Sequence, residues 1–145
     1  MTRASSIRAI MNEFQSVGQG AVHMNITDGI AHLSLANPSK RNALSPAMMS
    51  QLTVKLEQLH IECQKADSKL YGMIFSGSDK TFCSGFDLDS ASTDYASPAK
   101  GDQMSALMHH NFHLFYTLPL ISVCAIEGVI SLIHFKDLPL AVEQN

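Results

Sequence analysis

The pair Asp28-Gly29 constrains the fold more than any other feature of the sequence. It separates two segments, 21–26 and 30–36, in which apolar and polar residues alternate. Alternation with a period of two predicts strands with one buried face. Asp-Gly at the centre of a short connection favours a type I′ turn, because both central residues need positive φ. The sequence therefore predicts an antiparallel β-hairpin in the first quarter of the chain.

A helix and a further strand are predicted after the hairpin. Pro38 ends the hairpin, because proline cannot donate a ladder hydrogen bond. Ser45-Pro46 has the form of an N-cap followed by proline at the first helical position. Apolar residues at helical spacing extend this helix to about Lys65. The apolar run 70–75 then has the length and composition of a buried strand.

The order of helix and strand repeats once more. Residues 89–101 are rich in Ser, Ala, Asp and Thr and are predicted to form a mobile surface segment. Asp102 is a candidate N-cap for a helix that ends before Pro119, and residues 120–126 form another buried strand. Helices that alternate with buried strands require crossover connections. The sequence therefore predicts an α/β fold with largely parallel pairing after the hairpin.

Composition narrows the class of protein. With 145 residues, 46% of them hydrophobic, the chain can build one packed domain. The net charge of −3 offers no basic surface for nucleic acid, and no run approaches the roughly 20 apolar residues of a membrane span. Three distant cysteines without a CxxC pair favour reduced thiols. Arg3 and Arg8 suggest a mitochondrial transit peptide, but Glu13 argues against one, so a cytosolic protein is the preferred expectation.

The segment 81–88, Thr-Phe-Cys-Ser-Gly-Phe-Asp-Leu, is the main candidate for a functional site. It follows a buried strand and the turn-forming residues 76–80. A turn of small residues at the end of a strand has free backbone N–H groups, and Gly85 lets a ligand approach closely. These residues favour an oxyanion- or phosphate-binding loop. An ordinary connection between a strand and a helix stays open as the alternative.

Two other groups of residues have functional alternatives. His109 and His113 are one helical turn apart, but the sequence suggests no third ligand, so no metal site is predicted. Cys83 could be a nucleophile, but the sequence places no base beside it. A buried structural cysteine is the preferred interpretation.

Three motifs in this order resemble the crotonase, or enoyl-CoA hydratase/isomerase, superfamily. Segment 28–44 is similar to its first hairpin and the following loop, 82–88 to its first oxyanion-hole loop, and 118–128 to the strand before its second oxyanion segment. The resemblance covers about residues 15–128. The run Leu-Pro-Leu-Ile-Ser-Val at 118–123 and the Ser-Gly-x-Asp-Leu loop look most like the branch that decarboxylates ethylmalonyl-CoA or methylmalonyl-CoA.

The resemblance implies a spiral of ββα units, an acyl-CoA thioester substrate, and a homotrimer or hexamer. It implies no separate cofactor, since coenzyme A is part of the substrate, and neither a nucleic acid nor a membrane partner. Two backbone N–H donors would stabilise the thioester enolate that forms when CO₂ leaves the α-carbon. Loss of one such donor costs roughly 3 to 4 kcal/mol of transition-state stabilisation. Hydratase or isomerase activity, as in the parent family, is the alternative reaction.

The resemblance also assigns roles to single residues. The N–H of Phe86 is expected to be the catalytic oxyanion donor, although Phe86 could be only a buried anchor. Lys40 or Arg41 would meet the phosphates of CoA, unless both belong to a solvated charged loop. The other expected contacts to CoA are Ala43 on the adenine side and, through the backbone, Ser84, Gly85, Asp87 and Leu88. The side chain of Asp87 could instead only hold the turn.

The last part of the sequence departs from the superfamily pattern. That pattern continues after Gly128 through a glycine-rich turn that supplies the second donor, but no further glycine occurs here. We therefore expect a crotonase-like fold truncated near Gly128, with an N-terminal helix and extension at 1–20, a partial acyl-CoA-binding domain at 21–128 and a divergent tail at 129–145. The matching alternative function is a truncated, inactive form that at most binds CoA or full-length subunits.

Overall fold

The computed structural model describes residues 3–87, 89, 97–128 and 141–144. In chain order, the elements within these residues are α1 (Arg3–Phe14), β1 (Ala21–Thr27), β2 (Ile30–Ala36), a 3-10 turn (Pro38–Lys40), α2 (Pro46–Cys63), β3 (Gly72–Ser76), α3 (Pro98–Thr117), β4 (Ile121–Ile126) and β5 (Ala141–Gln144). The described strands form one sheet in the order β1-β2-β3-β4-β5.

The predicted hairpin is confirmed. β1 and β2 pair antiparallel, with Thr27 opposite Ile30 at the turn and Val22 opposite Leu35 further along. Asp28 and Gly29 between them both have positive φ, 49° and 77°. This is the backbone of the type I′ turn that the Asp-Gly pair favours, and its twist matches that of the two strands.

The predicted parallel pairing is also confirmed. β3 pairs parallel with β2 on one side and with β4 on the other, so that Phe75 lies between Leu33 and Cys124. Because parallel neighbours end at the same edge, the loops after β3 and β4 leave the sheet side by side. β5 pairs parallel with β4, in a part of the sequence for which no element was predicted.

The two long helices both begin with a serine followed by proline. The Ser45 side chain accepts a hydrogen bond from the Met48 N–H, as predicted for α2. In α3 the cap is Ser97, which accepts from Lys100, so the predicted cap at Asp102 is wrong. Ser97-Pro98 carries the same N-cap signal as Ser45-Pro46 and starts α3 one turn earlier. None of the described helices is long and apolar enough to cross a membrane.

The hydrophobic core lies on one face of the sheet. Alternate residues of the strands point into it, and the helices add fully buried side chains to the same cluster. Its largest fully buried apolar members are Phe14, Leu33, Leu35, Met48, Met49, Leu56, Leu59, Met73, Phe82 and Leu107. The opposite face is more open, and Ile121 at the start of β4 is 75% exposed. The core thus supports the loops after β3 and β4 from one side.

Candidate active site

The loop that follows β3 turns back on itself within a few residues. Asp79 and Lys80 both have positive φ, and Ser78 forms an isolated antiparallel bridge with Thr81. A Cβ atom at Gly77 would lie 1.9 Å from the carbonyl oxygen of Thr81. Only glycine permits this close approach of the two backbone segments. The turn therefore delivers the following residues, 82–87, to a fixed position at the end of the sheet.

A buried asparagine holds this turn against the loop before α2. The side chain of Asn42 donates to the carbonyl oxygens of Ser78 and Thr81, at 2.9 and 2.7 Å. Its oxygen accepts from the Asn37 N–H at 2.8 Å and from the Ser78 hydroxyl at 3.1 Å. Both donors and both lone pairs of the amide are used, and the residue is completely buried. Asn42 thereby joins two loops that are far apart in sequence.

Four consecutive backbone amides of the candidate loop differ in how they are satisfied. Ser84 N–H donates to the Arg41 carbonyl, Gly85 N–H to the sulfur of Cys83, and Asp87 N–H to the Leu44 carbonyl. Within the described residues, no hydrogen bond uses the N–H of Phe86.

The reason lies in an isolated parallel bridge between Leu44 and Phe86. In such a bridge the hydrogen bonds are made by the residues on either side, here by the carbonyl of Gly85 and the N–H of Asp87. The amide of Phe86 therefore points away from the Leu44 segment. The bridge fixes both the position and the direction of one unused backbone donor.

A mostly apolar groove opens beside Phe86. Its volume is about 410 Å³, and its lining residues come from α2, α3 and the candidate loop: Met49, Phe86, Gly101, Met104, Ser105, Met108, His109 and Phe112. Buried hydrogen bonds set the distance between the two helices, because Asn111 accepts from the Thr53 hydroxyl at 2.7 Å and donates to the Met49 carbonyl at 3.0 Å. The groove has the size and polarity of a small-molecule site.

The two basic residues before α2 lie in different electrostatic environments. The ammonium of Lys40 contacts the carboxylate of Asp89 and lies 3.8 Å from that of Asp87. Arg41 is exposed and, within the described residues, forms no ion pair. A phosphate would have to compete with two carboxylates for Lys40, whereas the guanidinium of Arg41 can bind it directly.

The other residues assigned to CoA binding have structural partners. The Ser84 hydroxyl donates to the Lys40 carbonyl at 2.8 Å. The side chain of Ala43 is buried, and its carbonyl accepts from the Asn37 side chain. Asp87 is buried and accepts from the Asp89 N–H at 3.2 Å. Its carboxylate therefore holds the turn, which leaves only its backbone for a contact to CoA. Leu88 lies outside the described residues.

Cys83 and Cys124 link the loop to the neighbouring strand. Both thiols are buried. Burial raises the pKa of the Cys83 thiol, and burial together with the charge of a Cys83 thiolate raises the pKa of Cys124 to about 12. Nucleophilic cysteines need the thiolate, so both residues are suited to packing. Cys83 also acts as the acceptor for Gly85 N–H, at 3.4 Å.

A second hollow lies where β3 and β4 end. It measures about 450 Å³ and is lined by Ser76, Gly77, Lys80, Thr81 and residues 123–127. Gly128 at its edge has a φ of 71°, and a Cβ there would lie 2.2 Å from the Lys80 carbonyl oxygen. Within the described residues, no three His, Cys, Asp or Glu side chains are grouped to hold a metal.

Asn42 lies in the segment 28–44 that resembles the family, but the sequence predicted no role for it and did not predict the groove. A signal for Asn42 existed, since asparagine tolerates positive φ and its amide can serve several backbone partners. Asn42 has a φ of 55°. The groove depends on side chains of two helices that only the folded chain brings together.

Solved structures identify the class to which this fold belongs. An enoyl-CoA hydratase from Polaromonas sp. JS666 has a TM-score of 0.66 and 23% identity, covering 75% of this chain and 41% of that chain. Human enoyl coenzyme A hydratase domain-containing protein 3 has a TM-score of 0.64 and 24% identity, covering 74% and 40%. The described part of the chain has the crotonase fold, with the Phe86 loop at the end of its parallel strands.

Sequence comparison places the chain within that class. The model of the enoyl-CoA hydratase/isomerase family matches residues 25–131, and the chain belongs to this family. Curated relatives include ethylmalonyl-CoA decarboxylases. That of Mus musculus is 38% identical over 101 residues, covering 70% of this chain and 30% of the relative. That of Homo sapiens is 33% identical over 120 residues, covering 82% and 37%. The chain spans about a third of the length of these relatives.

Proposed function

We propose that this chain provides the first oxyanion donor and part of the CoA site of an acyl-CoA decarboxylase. The substrate is a short branched malonyl thioester, ethylmalonyl-CoA or methylmalonyl-CoA. The proposal is supported by the family match and by relatives named ethylmalonyl-CoA decarboxylase. A homotrimer or hexamer in the cytosol belongs to the same proposal.

The observation that carries the proposal is the amide of Phe86. Three of four consecutive N–H groups have acceptors, two of them in the loop before α2 and one at Cys83, and the fourth has none among the described residues. It belongs to a residue that lines a groove of about 410 Å³. A fixed donor beside an apolar hollow is what stabilisation of a developing oxyanion requires, because it needs no reorganisation during the reaction.

The chemistry proceeds in two steps. The bond between the α-carbon and the carboxylate breaks, CO₂ leaves, and the electron pair moves into the thioester carbonyl to give an enolate. The Phe86 N–H donates to the enolate oxygen, where negative charge is greater than in the starting thioester. A proton from solvent water then adds to the α-carbon and gives butyryl-CoA from ethylmalonyl-CoA. The apolar residues of the groove surround the alkyl group.

The binding of CoA is assigned to the loop before α2. Arg41 takes a phosphate through its guanidinium, and Lys40 joins it once its carboxylate partners are displaced. Ala43 lies on the adenine side. Ser84, Gly85, Asp87 and Leu88 border the pantetheine through their backbone. Arg41→Ala should therefore weaken binding of CoA more than Lys40→Ala does.

The test is to incubate the purified protein with ethylmalonyl-CoA and to quantify CO₂ and butyryl-CoA. Replacing Phe86 with its α-hydroxy acid turns the amide into an ester and leaves the ring in place. This change should lower turnover by about 100- to 1,000-fold, while Phe86→Leu, which keeps the N–H, should lower it by less than about tenfold. Equal turnover of the ester variant and the unmodified protein would refute the assignment.

Two other outcomes identify the alternatives. Hydration of crotonyl-CoA without release of CO₂ would indicate the hydratase or isomerase reaction of the wider family. Binding of CoA in the absence of either turnover would indicate a form that binds CoA or full-length subunits without catalysis.

A further inference from the structure

We propose that His109, supported by Ser105, binds the free carboxylate of the malonyl thioester and thereby selects carboxylated acyl groups over simple ones. This inference rests on the proposed acyl-CoA function and deepens it, because it concerns which acyl group the groove accepts. It assigns a binding role to a residue that otherwise has only been weighed as a metal ligand.

The groove is mostly apolar, with two polar side chains. Of its eight lining residues, five have large apolar side chains, one is Gly101, and the other two are Ser105 and His109. Among the described lining residues, His109 alone has a side chain that can carry a charge, and that charge is positive. No Asp or Glu is among these described residues, so a bound carboxylate meets no like charge from them.

Both polar side chains belong to α3. Ser105 and His109 are four residues apart and share one side of the helix. The Ser105 hydroxyl lies 3.5 Å from Nδ1 of His109. The hydroxyl is thus placed beside Nδ1 of the imidazole, and within the described residues no hydrogen bond or ion pair uses Nε2 of His109. Nε2 is thus available as a donor to an anion, whether the ring is neutral in the matching tautomer or protonated.

The proposed substrate has one group for each part of the groove. Ethylmalonyl-CoA and butyryl-CoA have the same alkyl group and differ only by the carboxylate on the α-carbon. When the thioester oxygen faces the Phe86 N–H, the ethyl group and the carboxylate leave the α-carbon in different directions. The methionine and phenylalanine side chains suit the ethyl group, and His109 with Ser105 suits the carboxylate.

The energetics limit the role to selection. A strong ion pair with the carboxylate would stabilise the ground state, in which the charge is on the carboxylate, and so would slow the loss of CO₂. An exposed imidazole offers only one moderate hydrogen bond to the anion. His109 therefore improves binding of carboxylated thioesters without promoting the chemical step, and its removal should raise KM and leave kcat unchanged or slightly higher.

The experiment compares two thioesters that the protein cannot decarboxylate. The probes are butyryl-CoA and 2-sulfobutyryl-CoA, in which a sulfonate replaces the carboxylate. Titration calorimetry should give about tenfold tighter binding of the sulfonate by the unmodified protein. His109→Phe keeps a ring of similar size and should reduce this ratio to about one, with butyryl-CoA affinity unchanged. His109→Arg should keep a preference for the sulfonate.

His113→Phe is the matched control, because His113 is an exposed histidine of the same helix and does not line the groove. It should retain the tenfold ratio. The proposal is overturned if His109→Phe keeps the ratio, if it weakens both thioesters equally, or if the unmodified protein shows no preference for the sulfonate.

Failure of this inference can be distinguished from failure of the proposed function. Release of CO₂ from ethylmalonyl-CoA with an unchanged ratio in His109→Phe would overturn the carboxylate site alone. A ratio that depends on His109 in a protein that releases no CO₂ would support the site and refute the decarboxylase. Where turnover is present, a higher KM at constant kcat in His109→Phe is a second supporting readout.

Discussion

The segments that follow the two parallel strands β3 and β4 are held in different ways. The first is fixed by hydrogen bonds to the loop before α2, through the side chain of Asn42 and the bridge between Leu44 and Phe86. In the second, the last described residue, Gly128, packs against the backbone of Lys80 in the first segment. The second segment therefore takes its position from the first, whereas the first is held without the second.

This difference bears on the proposed oxyanion site, to which the described residues contribute the Phe86 amide. The Phe86 amide is oriented by contacts made within residues 37–87, and these contacts are complete. The end of β4 takes its position from the first segment, so any donor that follows it inherits that position. Disturbing the first segment should therefore affect the ends of both strands, whereas disturbing the second should leave Phe86 in place.

The largest effect is expected from removing the Asn42 amide. Asn42→Ala leaves buried backbone groups without partners and should lower the free energy of unfolding by about 3 kcal/mol. Urea denaturation measures this change. Asn25→Ala is the control, because Asn25 is exposed and makes one long hydrogen bond of 3.4 Å; it should change stability by less than about 0.5 kcal/mol. A loss below about 1 kcal/mol for Asn42→Ala would contradict the role given to this amide.

The next effect should come from two glycines, Gly77 inside the first segment and Gly128 where the second segment meets the first. A Cβ at Gly77 would overlap two carbonyl oxygens, at 1.9 and 2.4 Å, whereas one at Gly128 would overlap a single carbonyl oxygen at 2.2 Å. Gly77→Ala should cost about 2 kcal/mol and Gly128→Ala about 1 kcal/mol. Only Gly77→Ala should also weaken acyl-CoA binding. A larger loss of binding for Gly128→Ala would show that the first segment depends on the second.

A smaller effect concerns the buried thiols of Cys83 in the first segment and Cys124 in β4. Because the pKa of Cys124 is about 12 in the folded protein against an ordinary value of 9.0, the folded state retains a proton that the unfolded state loses. Stability from this thiol is complete below about pH 9 and should fall as the pH rises from 9 towards 12. Cys124→Ala should reduce this pH dependence in denaturation experiments. An identical pH profile for both proteins would count against the buried thiol.

The smallest effect is expected from Gly101→Ala, which is the control for the alanine substitutions at Gly77 and Gly128. A Cβ there would have no atom within 4 Å, and alanine is the better helix former. Gly101→Ala in α3 should therefore stabilise the protein by about 0.5 kcal/mol. Thermal unfolding should show a higher Tm for Gly101→Ala and a lower Tm for Gly77→Ala. This opposite sign would show that the loss of stability at Gly77 arises from close contact and not from replacing a glycine in general.

Local patterns predicted the elements well, because their causes lie within a few residues. The Asp28-Gly29 turn and the Ser45-Pro46 start of α2 are examples, and both were found where expected. The start of α3 was missed, since two adjacent signals competed. Ser97-Pro98 formed the cap although Asp102 also fits the rule.

The candidate site was predicted in part. The sequence and its resemblance pointed to the Phe86 loop, which lies at the end of β3 beside a groove. The four hydrogen bonds of Asn42 and the ion pairs of Lys40 could not be predicted, because each joins residues from five to 49 positions apart. Such contacts depend on the packing of loops, which leaves no periodic pattern in the sequence.

Because the bridge between Leu44 and Phe86 fixes one register, the number of residues between Cys83 and Phe86 matters. Along an extended backbone, successive N–H groups point to opposite sides. One residue inserted or deleted between Cys83 and Phe86 would turn a different amide outward and direct the N–H of Phe86 back toward Leu44. The number of peptide units between Cys83 and the bridge therefore decides which amide faces away from Leu44, whatever side chain stands at position 86.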